Sequence, residues 1–300
     1  MDILPGRDGR RRAASVTDPA PPTTRREARG GAGRAGRNLP VAVGVGVGLG
    51  GLIIASLFVR KEGFVLVCAV AVAISVWELT QAFAARRIHV PLVPVVVGSL
   101  GMLVSAFAAG EEALLVAFVL TALGLLVWRV LEGLDGAVRD VAAGVFVAAY
   151  VPFLAGFAML MLAADDGAQR IVVFVLVTVA SDVGGYAVGA VWGRHPMAPS
   201  VSPKKSWEGS AGSVLFCLAA GVGSVVWLLD GSWWAGALVG LAAVVTATVG
   251  DLSESLLKRD LGIKDMGSFL PGHGGVLDRL DSLLPTAPVV YLLLAILVPA

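Results

Sequence analysis

The chain has 300 residues and a net charge of only +1 at pH 7, and 57% of its residues are hydrophobic while 15% are charged. Soluble domains carry about 25% charged residues, so this composition excludes a protein whose surface lies mainly in water. We therefore expect a lipid bilayer around most of the surface, and we expect no nucleic-acid partner.

Long apolar runs predict the fold class. A transmembrane helix needs about 20 mostly apolar residues, because the hydrocarbon core is about 30 Å thick and each residue rises about 1.5 Å. We predict an all-α polytopic membrane protein, a bundle of about nine transmembrane helices, and the 38 glycines suit close helix packing. The predicted spans are 38–59, 64–84, 90–108, 112–131, 138–163, 170–193, 210–229, 233–257 and 283–299.

The distribution of basic residues predicts the orientation. With the N-terminus inside, all of the 23 Lys and Arg residues fall on the inner side except Arg60, Lys61 and Arg170. This asymmetry predicts a cytoplasmic N-terminus and an external C-terminus. The two largest loops, 194–209 and 258–282, then both face the cytoplasm.

Three regions follow one another along the chain. Residues 1–37 are rich in Arg, Gly, Pro and Ala without an apolar period, which predicts a disordered cytoplasmic tail. Residues 38–163 are predicted as N-terminal transmembrane helices, and residues 164–300 as a transmembrane catalytic region. Polar and charged residues cluster in the apolar runs from 178 onward, and such residues are costly in a membrane and indicate function.

Two earlier features need weighing. Glu78 lies inside the second span near its cytoplasmic end, so it should face the bundle and have a partner. A structural or interfacial role is at least as well supported for it as a catalytic one. The segment Asp135–Arg139 resembles the start of the CDP-alcohol phosphotransferase motif, but 144–163 contains no acid, so we predict a tight cytoplasmic turn.

The first cluster from 178 onward lies in the sixth span. Asp182 and Tyr186 are four residues apart and Gly189 follows, so an acid, a hydroxyl and a glycine share one helix face. We predict that this strip faces the bundle interior and binds substrate. The alternative is a buried polar knot that holds helices together.

The second cluster is the segment S-P-K-K-S-W-E-G that precedes the seventh helix. It contains Lys204, Lys205 and Ser206. A helix N-terminus favours anions because it presents free N–H groups and a positive dipole. These residues are therefore candidates to bind a triphosphate, and the alternative is ordinary positive-inside charge.

The third cluster lies at the end of the eighth span. Because an α-helix turns about 100° per residue, Asp251, Ser255 and Lys258 form one polar stripe on an otherwise apolar helix, and Arg259 follows. The residues between them include leucines, so exposure of this helix to solvent does not explain the polar stripe.

The fourth cluster combines a glycine-rich segment with paired acids. Gly274 and Gly275 allow backbone N–H groups to approach an anion closely, and His273 beside them is a candidate phosphate contact. Asp278 and Asp281 share a face if this segment is helical. Magnesium is usually held by one or two carboxylates together with substrate phosphates, so this cluster predicts a magnesium–nucleotide site.

Together these clusters resemble the phosphatidate cytidylyltransferase (CDP-diacylglycerol synthase) family. The family's motif of S-x-x-K-R, K-D, H-G-G, D-R and a final D is filled here at 255–281. The D-x-x-G-Y element at 182–186 and the S-P-K-K-S-x-E-G element at 202–209 precede it in the expected order. The resemblance covers about 170–282, and the first five helices match only as apolar spans.

The resemblance implies a nucleotidyltransferase of phospholipid biosynthesis, which converts CTP and phosphatidate to CDP-diacylglycerol and pyrophosphate with Mg²⁺ as cofactor. It also implies a multi-pass protein of the bacterial inner membrane, and it leaves a homodimer open. The implied metal ligands are Asp251, Asp278 and Asp281, and the catalytic set adds Lys258, Arg259 and Lys264. The substrate-binding set is Asp182, Tyr186, Lys204, Lys205, Ser206, Ser255, His273, Gly274, Gly275 and Arg279.

Two other classes stay open. A CTP-dependent polyprenol kinase would transfer the γ-phosphoryl group to an alcohol, and the full motif at 255–281 argues against it. A transporter would predict inverted repeats and broken helices in both halves, whereas the polar residues here crowd into the second half.

Overall fold

The computed structural model describes residues 39–133, 135–267, 269 and 274–299. The predicted tail at 1–37 and the predicted site residue His273 lie outside the described residues. The elements in chain order are α1 (Leu39–Val59), α2 (Lys61–Ala84), α3 (Leu92–Glu132), α4 (Ala137–Ala148), a π-helical turn (Ala149–Phe153), α5 (Leu154–Ala163), α6 (Gly167–Trp192), β1 (Pro196–Ala198), β2 (Ser202–Ser206), α7 (Trp207–Leu229), α8 (Trp233–Leu261), α9 (Leu277–Leu280) and α10 (Leu283–Leu297).

The helices are those of a polytopic membrane protein, as predicted. Within the described ranges, seven are long and apolar enough to cross a membrane, when 137–163 and 277–297 each count as one. A shorter apolar stretch, Gly50–Val59, belongs to α1. The count is lower than the predicted nine because the stretch Gly50–Val59 is too short to span a membrane by itself, and because α3 is one helix that contains two of the predicted spans.

Helix α3 is 41 residues long and folds back on itself at Gly110, where φ is 83°. Only glycine adopts this conformation without steric cost. A Cβ built on Gly98 would lie 2.2 Å from Oγ1 of Thr121, although a straight helix would separate these residues by about 35 Å. The two arms of α3 therefore lie side by side as a helical hairpin.

Small residues bring α6, α7 and α8 into close contact. A Cβ on Gly212 of α7 would lie 2.5 Å from the carbonyl oxygen of Gly184 in α6. On the other side of α7, a Cβ on Gly221 would lie 2.3 Å from the carbonyl oxygen of Gly236 in α8. Helices in lipid associate through such close backbone approach, so these glycines pack the bundle as the sequence predicted.

The segment after α3 forms the predicted tight turn. Gly136 has a left-handed conformation with φ of 70°. The buried guanidinium of Arg129 donates to the carbonyl oxygen of Asp135 at 2.9 Å and pairs with Asp140 at 3.3 Å. This ion pair joins α3 to α4 and accounts for the segment without a catalytic role.

A short two-stranded sheet, which the all-α prediction did not include, lies in the loop between α6 and α7. Strands β1 and β2 are antiparallel, with Pro196 opposite Ser206 and Ala198 opposite Ser202. The loop contains three prolines, which cannot donate to a ladder and which indicate a loop in sequence. Tertiary contacts hold these strands, so local propensity did not reveal them.

Candidate active site

Helix α6 supplies the first wall of a polar cavity. Asp182, Tyr186 and Gly189 lie along one face and line this cavity, together with Ser181 and Gly185. Asp182 and Tyr186 are exposed into the cavity, and 79% of Tyr186 is accessible. The three residues therefore share one helix face, as predicted, but this face borders an open cavity and is not buried between helices.

Strand β2 and the start of α7 supply the second wall. The hydroxyl of Ser206 caps α7 by accepting a hydrogen bond from the backbone N–H of Gly209 at 3.1 Å. Lys204 and Lys205 lie on β2 and line the cavity. Nζ of Lys205 lies 2.5 Å from Oδ2 of Asp251. The predicted lysine pair and one predicted acid thus meet at the N-terminus of a helix, where anions are favoured.

Hydrogen bonds hold the strand pair at two places. At its base, Oε2 of Glu208 accepts hydrogen bonds from the backbone N–H groups of Arg194 at 3.1 Å and His195 at 3.2 Å. Near its turn, the guanidinium of Arg259 on α8 donates to the carbonyl oxygen of Val201. These contacts set the position of the two lysines relative to α8.

Two acids of helix α8 have different surroundings. Asp251 faces the cavity, whereas Glu254 is buried and only 1% exposed. Lys258 lies 2.7 Å from Oε2 of Glu254 and 2.6 Å from Oδ1 of Asp278. Glu254 was not among the predicted site residues, although its i, i+4 spacing to Lys258 places the two side chains on one helix face.

The short helix α9 carries the paired acids. Asp278 accepts hydrogen bonds from the backbone N–H of Gly275 at 2.8 Å and of Met266 at 3.2 Å, in addition to its Lys258 contact. Asp281 follows α9 and accepts from the N–H of Ser282 at 2.7 Å. The oxygens of Asp278 are therefore committed to the surrounding loop and to Lys258.

These walls enclose a cavity of about 650 Å³. Hydroxyl groups that the sequence did not single out also line it, among them Ser210 and Ser213 of α7 and Thr248 of α8. Nine of the predicted site residues line the cavity: Asp182, Tyr186, Lys204, Lys205, Ser206, Asp251, Asp278, Arg279 and Asp281.

Three acids of the cavity offer oxygen ligands for a magnesium ion. Asp182, Asp251 and Asp281 line the same cavity, and carboxylate oxygens are the ligands that a hard cation prefers. In the described part of the chain, no three His, Cys, Asp or Glu side chains stand in metal-binding geometry. The ammonium group of Lys205 instead stands beside Asp251. Carboxylate donors suited to a divalent cation are therefore present, and one of them, Asp251, is paired with Lys205.

The sequence matches the model of the Cytidylyltransferase family over residues 41–297. The chain belongs to this cytidylyltransferase family. A phosphatidate cytidylyltransferase of Mycobacterium leprae is 40% identical over 280 residues, which cover 88% of this chain and 90% of that relative. The enzyme of the same name from Mycobacterium tuberculosis strain H37Rv is 37% identical over 278 residues, which cover 88% of this chain and 84% of that relative.

Six of the described predicted site residues of this cytidylyltransferase do not line the cavity, and four of them lie on or just after α8. Lys258 bridges Glu254 and Asp278, and Arg259 binds the turn of the strand pair. Lys264 is exposed and Ser255 is half-buried. The structure thus places Lys258 and Arg259 where they hold the walls of the cavity together.

The predicted glycines of the cytidylyltransferase motif shape the loop before α9. Gly274 has a positive φ of 83°, and a Cβ there would lie 3.0 Å from Oδ2 of Asp278. Gly275 donates its N–H to the same carboxylate. Both glycines therefore contact protein carboxylates and lie outside the cavity lining.

Proposed function

We propose that this chain is a phosphatidate cytidylyltransferase, which converts CTP and phosphatidate to CDP-diacylglycerol and pyrophosphate. The observation that carries the proposal is the Lys205–Asp251 pair inside a 650 Å³ cavity of a membrane-spanning helix bundle. Such a cavity offers cations for nucleotide phosphates and carboxylates for a metal. The names and the nearly full-length similarity of the mycobacterial relatives support the same activity.

The reaction joins two anions, and the chain's own cations would offset their charge. A phosphate oxygen of phosphatidate attacks the α-phosphorus of CTP, a new P–O bond forms, and the α–β anhydride bond breaks as pyrophosphate leaves. Lys204 and Lys205 on β2 and Arg279 on α9 line the same cavity. Their charges, with the N-terminus of α7, would hold the triphosphate and stabilise the departing pyrophosphate.

Magnesium is the cofactor that the donor set favours. Asp251 and Asp281, which line the cavity, would hold it together with the substrate phosphates, and Asp182 lines the same cavity. Bound magnesium would neutralise charge on the nucleotide phosphates and on the leaving group. Asp278 would act on the shape of the loop, since it already binds Lys258 and two backbone N–H groups.

We infer nine crossings of a bacterial inner membrane with the N-terminus in the cytoplasm. The crossings are α1, α2, the two arms of α3, α4 with α5, α6, α7, α8, and α9 with α10. Two hydrogen bonds between distant helix ends support this order, because the proposed topology assigns both partners of each bond to the same side. Lys61 donates to Ala164 on the outer side, and Arg86 donates to Leu261 on the inner side.

The test is the fate of each phosphate of CTP. Purified protein is incubated with phosphatidate and Mg²⁺, once with CTP labelled at the α-phosphate and once with CTP labelled at the γ-phosphate. The proposal predicts α-label in the lipid product and γ-label in pyrophosphate. γ-Label in a lipid would instead identify a CTP-dependent kinase, and an unlabelled lipid in both reactions would exclude both activities.

A further inference from the structure

Glu78 lies in the last third of the membrane-spanning helix α2 (Lys61–Ala84) and binds the backbone next to the paired acids. Its side chain is 1% exposed. Oε1 accepts a hydrogen bond from the N–H of Val276 at 3.1 Å, and Oε2 accepts one from the N–H of Leu277 at 2.9 Å. The buried acid that the sequence placed in the bundle thus has its partner about 200 residues further along the chain.

Two glycines of the loop enclose this carboxylate. A Cβ built on Gly267 would lie 2.2 Å from Oε1 of Glu78, and one built on Gly275 would lie 2.7 Å from Oε2. Distances below 3.0 Å force a displacement. Glycine is therefore required at both positions by a carboxylate of the protein itself, whereas the sequence suggested a substrate anion for Gly275.

The position of α9 depends on contacts of this kind. The helix has only four residues, Leu277–Leu280, so its own hydrogen bonds cannot hold its direction. Its residues Asp278 and Arg279, and Asp281 directly after it, line the cavity. A movement of the N–H groups that Glu78 binds would move all three side chains.

We propose that Glu78 is a positioning residue for the cytidylyl-transfer site, a role that rests on the proposed function. It acts through the backbone N–H groups of Val276 and Leu277, which it holds by charge-assisted hydrogen bonds. Glutamine cannot replace Glu78, because the amide nitrogen of glutamine is itself a hydrogen-bond donor and would face one of these two backbone N–H donors. Glu78 itself is not among the residues that line the cavity.

The first experiment compares Glu78→Gln with the matched control Thr80→Val. Thr80 is another buried polar residue of α2, and its hydroxyl donates to the carbonyl oxygen of Trp77 in the same helix at 2.8 Å. Hydrogen exchange of the full chain in detergent should rise at least about tenfold at 276 and 277 in Glu78→Gln. The kcat should fall at least about tenfold, with a smaller change in KM for CTP. Thr80→Val should change neither quantity.

The second experiment keeps the proposal testable if Glu78→Gln fails to fold. Gly267→Ala inserts a methyl group against Oε1 without changing charge, and Glu78→Asp shortens the acid by one methylene. Each should lower kcat, and the double variant should lose less than the product of the two single effects, because the shorter acid makes room for the methyl group.

Two results would overturn the positioning role. One is normal exchange at 276–277 and normal kcat per folded molecule in Glu78→Gln, with only a lower unfolding temperature. The other is strictly multiplicative effects of Gly267→Ala and Glu78→Asp. A wild-type protein that forms no CDP-diacylglycerol would refute the proposed function separately, and the exchange measurement would still decide whether Glu78 holds the backbone of α9.

Discussion

Two lysines bind carboxylates near the cavity, and they do so for different purposes. Lys205 pairs with Asp251 at 2.5 Å on the cavity wall, where both remain partly exposed. Lys258 joins Glu254 to Asp278, and those two carboxylate side chains are only 2% and 6% exposed. The exposed pair lies where the proposed nucleotide and metal would bind, whereas the buried bridge joins α8 to α9.

Asp251→Asn should remove activity without unfolding the protein, because the change removes a charge in the cavity and almost no volume. We expect kcat to fall at least about 100-fold, which is about 2.7 kcal/mol of transition-state stabilisation. Initial rates of lipid product formation and a melting curve in detergent measure both effects. Asp260→Asn, an exposed change on the same helix, is the control. More than a tenth of wild-type activity in Asp251→Asn would argue against a metal-binding role.

Asp278→Asn should instead lower activity and stability together. The amide would lose the ion pair with Lys258 and would place an N–H₂ group near the donors of Gly275 and Met266. A buried donor or acceptor left unsatisfied costs about 1–3 kcal/mol. A clearly lowered unfolding temperature is therefore expected. An unchanged melting curve with complete loss of activity would show that Asp278 acts directly on the metal or substrate.

The lysine pair should act on the nucleotide. Replacing Lys204 or Lys205 with Gln should raise KM for CTP about 10- to 150-fold, since a hydrogen bond to a charged group contributes about 1.5–3 kcal/mol. KM for phosphatidate should change less. Steady-state kinetics with each substrate varied in turn provide the measurement. Arg194→Gln, in the same loop but outside the cavity lining, is the control, and an unchanged CTP dependence in both lysine variants would remove β2 from the site.

At the scale of elements, α7 connects the packing of the bundle with the chemistry of the cavity. Its N-terminus is capped by Ser206 beside the lysines, and its glycines let α6 and α8 approach on either side. Ser210 and Ser213, one turn apart, line the cavity. The distance between α6 and α7 therefore sets the width of the cavity.

Gly212→Ala tests this packing. Its methyl group would lie 2.5 Å from the carbonyl oxygen of Gly184, so the two helices must separate. Overpacking of this kind costs about 1–3 kcal/mol, and the unfolding temperature in detergent should fall. Gly223→Ala on the same helix is the matched control, because its nearest neighbour would be a ring atom of Trp227 at 3.7 Å. Equal melting curves for the two variants would contradict the close contact.

At the scale of the whole molecule, the contacts between helix ends separate into two sets. Arg86 donates to the backbone at Asp260 and Leu261 at the end that carries the cavity loops. Arg170 is buried, pairs with Asp166 at 2.5 Å and donates to Val298 at the opposite end. At each end of the bundle, an arginine thus joins two helix ends through hydrogen bonds to backbone carbonyl groups, which suits a protein that lies between two aqueous compartments.

Thiol labelling tests the orientation. In a variant without Cys68 and Cys217, Asp165→Cys should react with an impermeant thiol reagent applied to intact cells. Ser200→Cys, in the turn between β1 and β2, should react only after the membrane is permeabilised. Labelling of Ser200→Cys in intact cells would place the cavity outside and deny it cytoplasmic CTP.

The amino-acid sequence was sufficient to predict the membrane class, the apolar spans and the order of the polar clusters. Lipid leaves backbone groups no partner except in helices and closed barrels, so apolar runs alone predict the elements. Three features depend on contacts that the sequence does not show: α3 is a hairpin, Asp182 lines the same cavity as Asp251 and Asp281, and Lys258 and Asp278 connect α8 to α9. The tertiary structure also revealed the bond from Glu78 to Leu277. Such contacts join side chains far apart in the chain, and helical spacing describes only neighbours within a few turns.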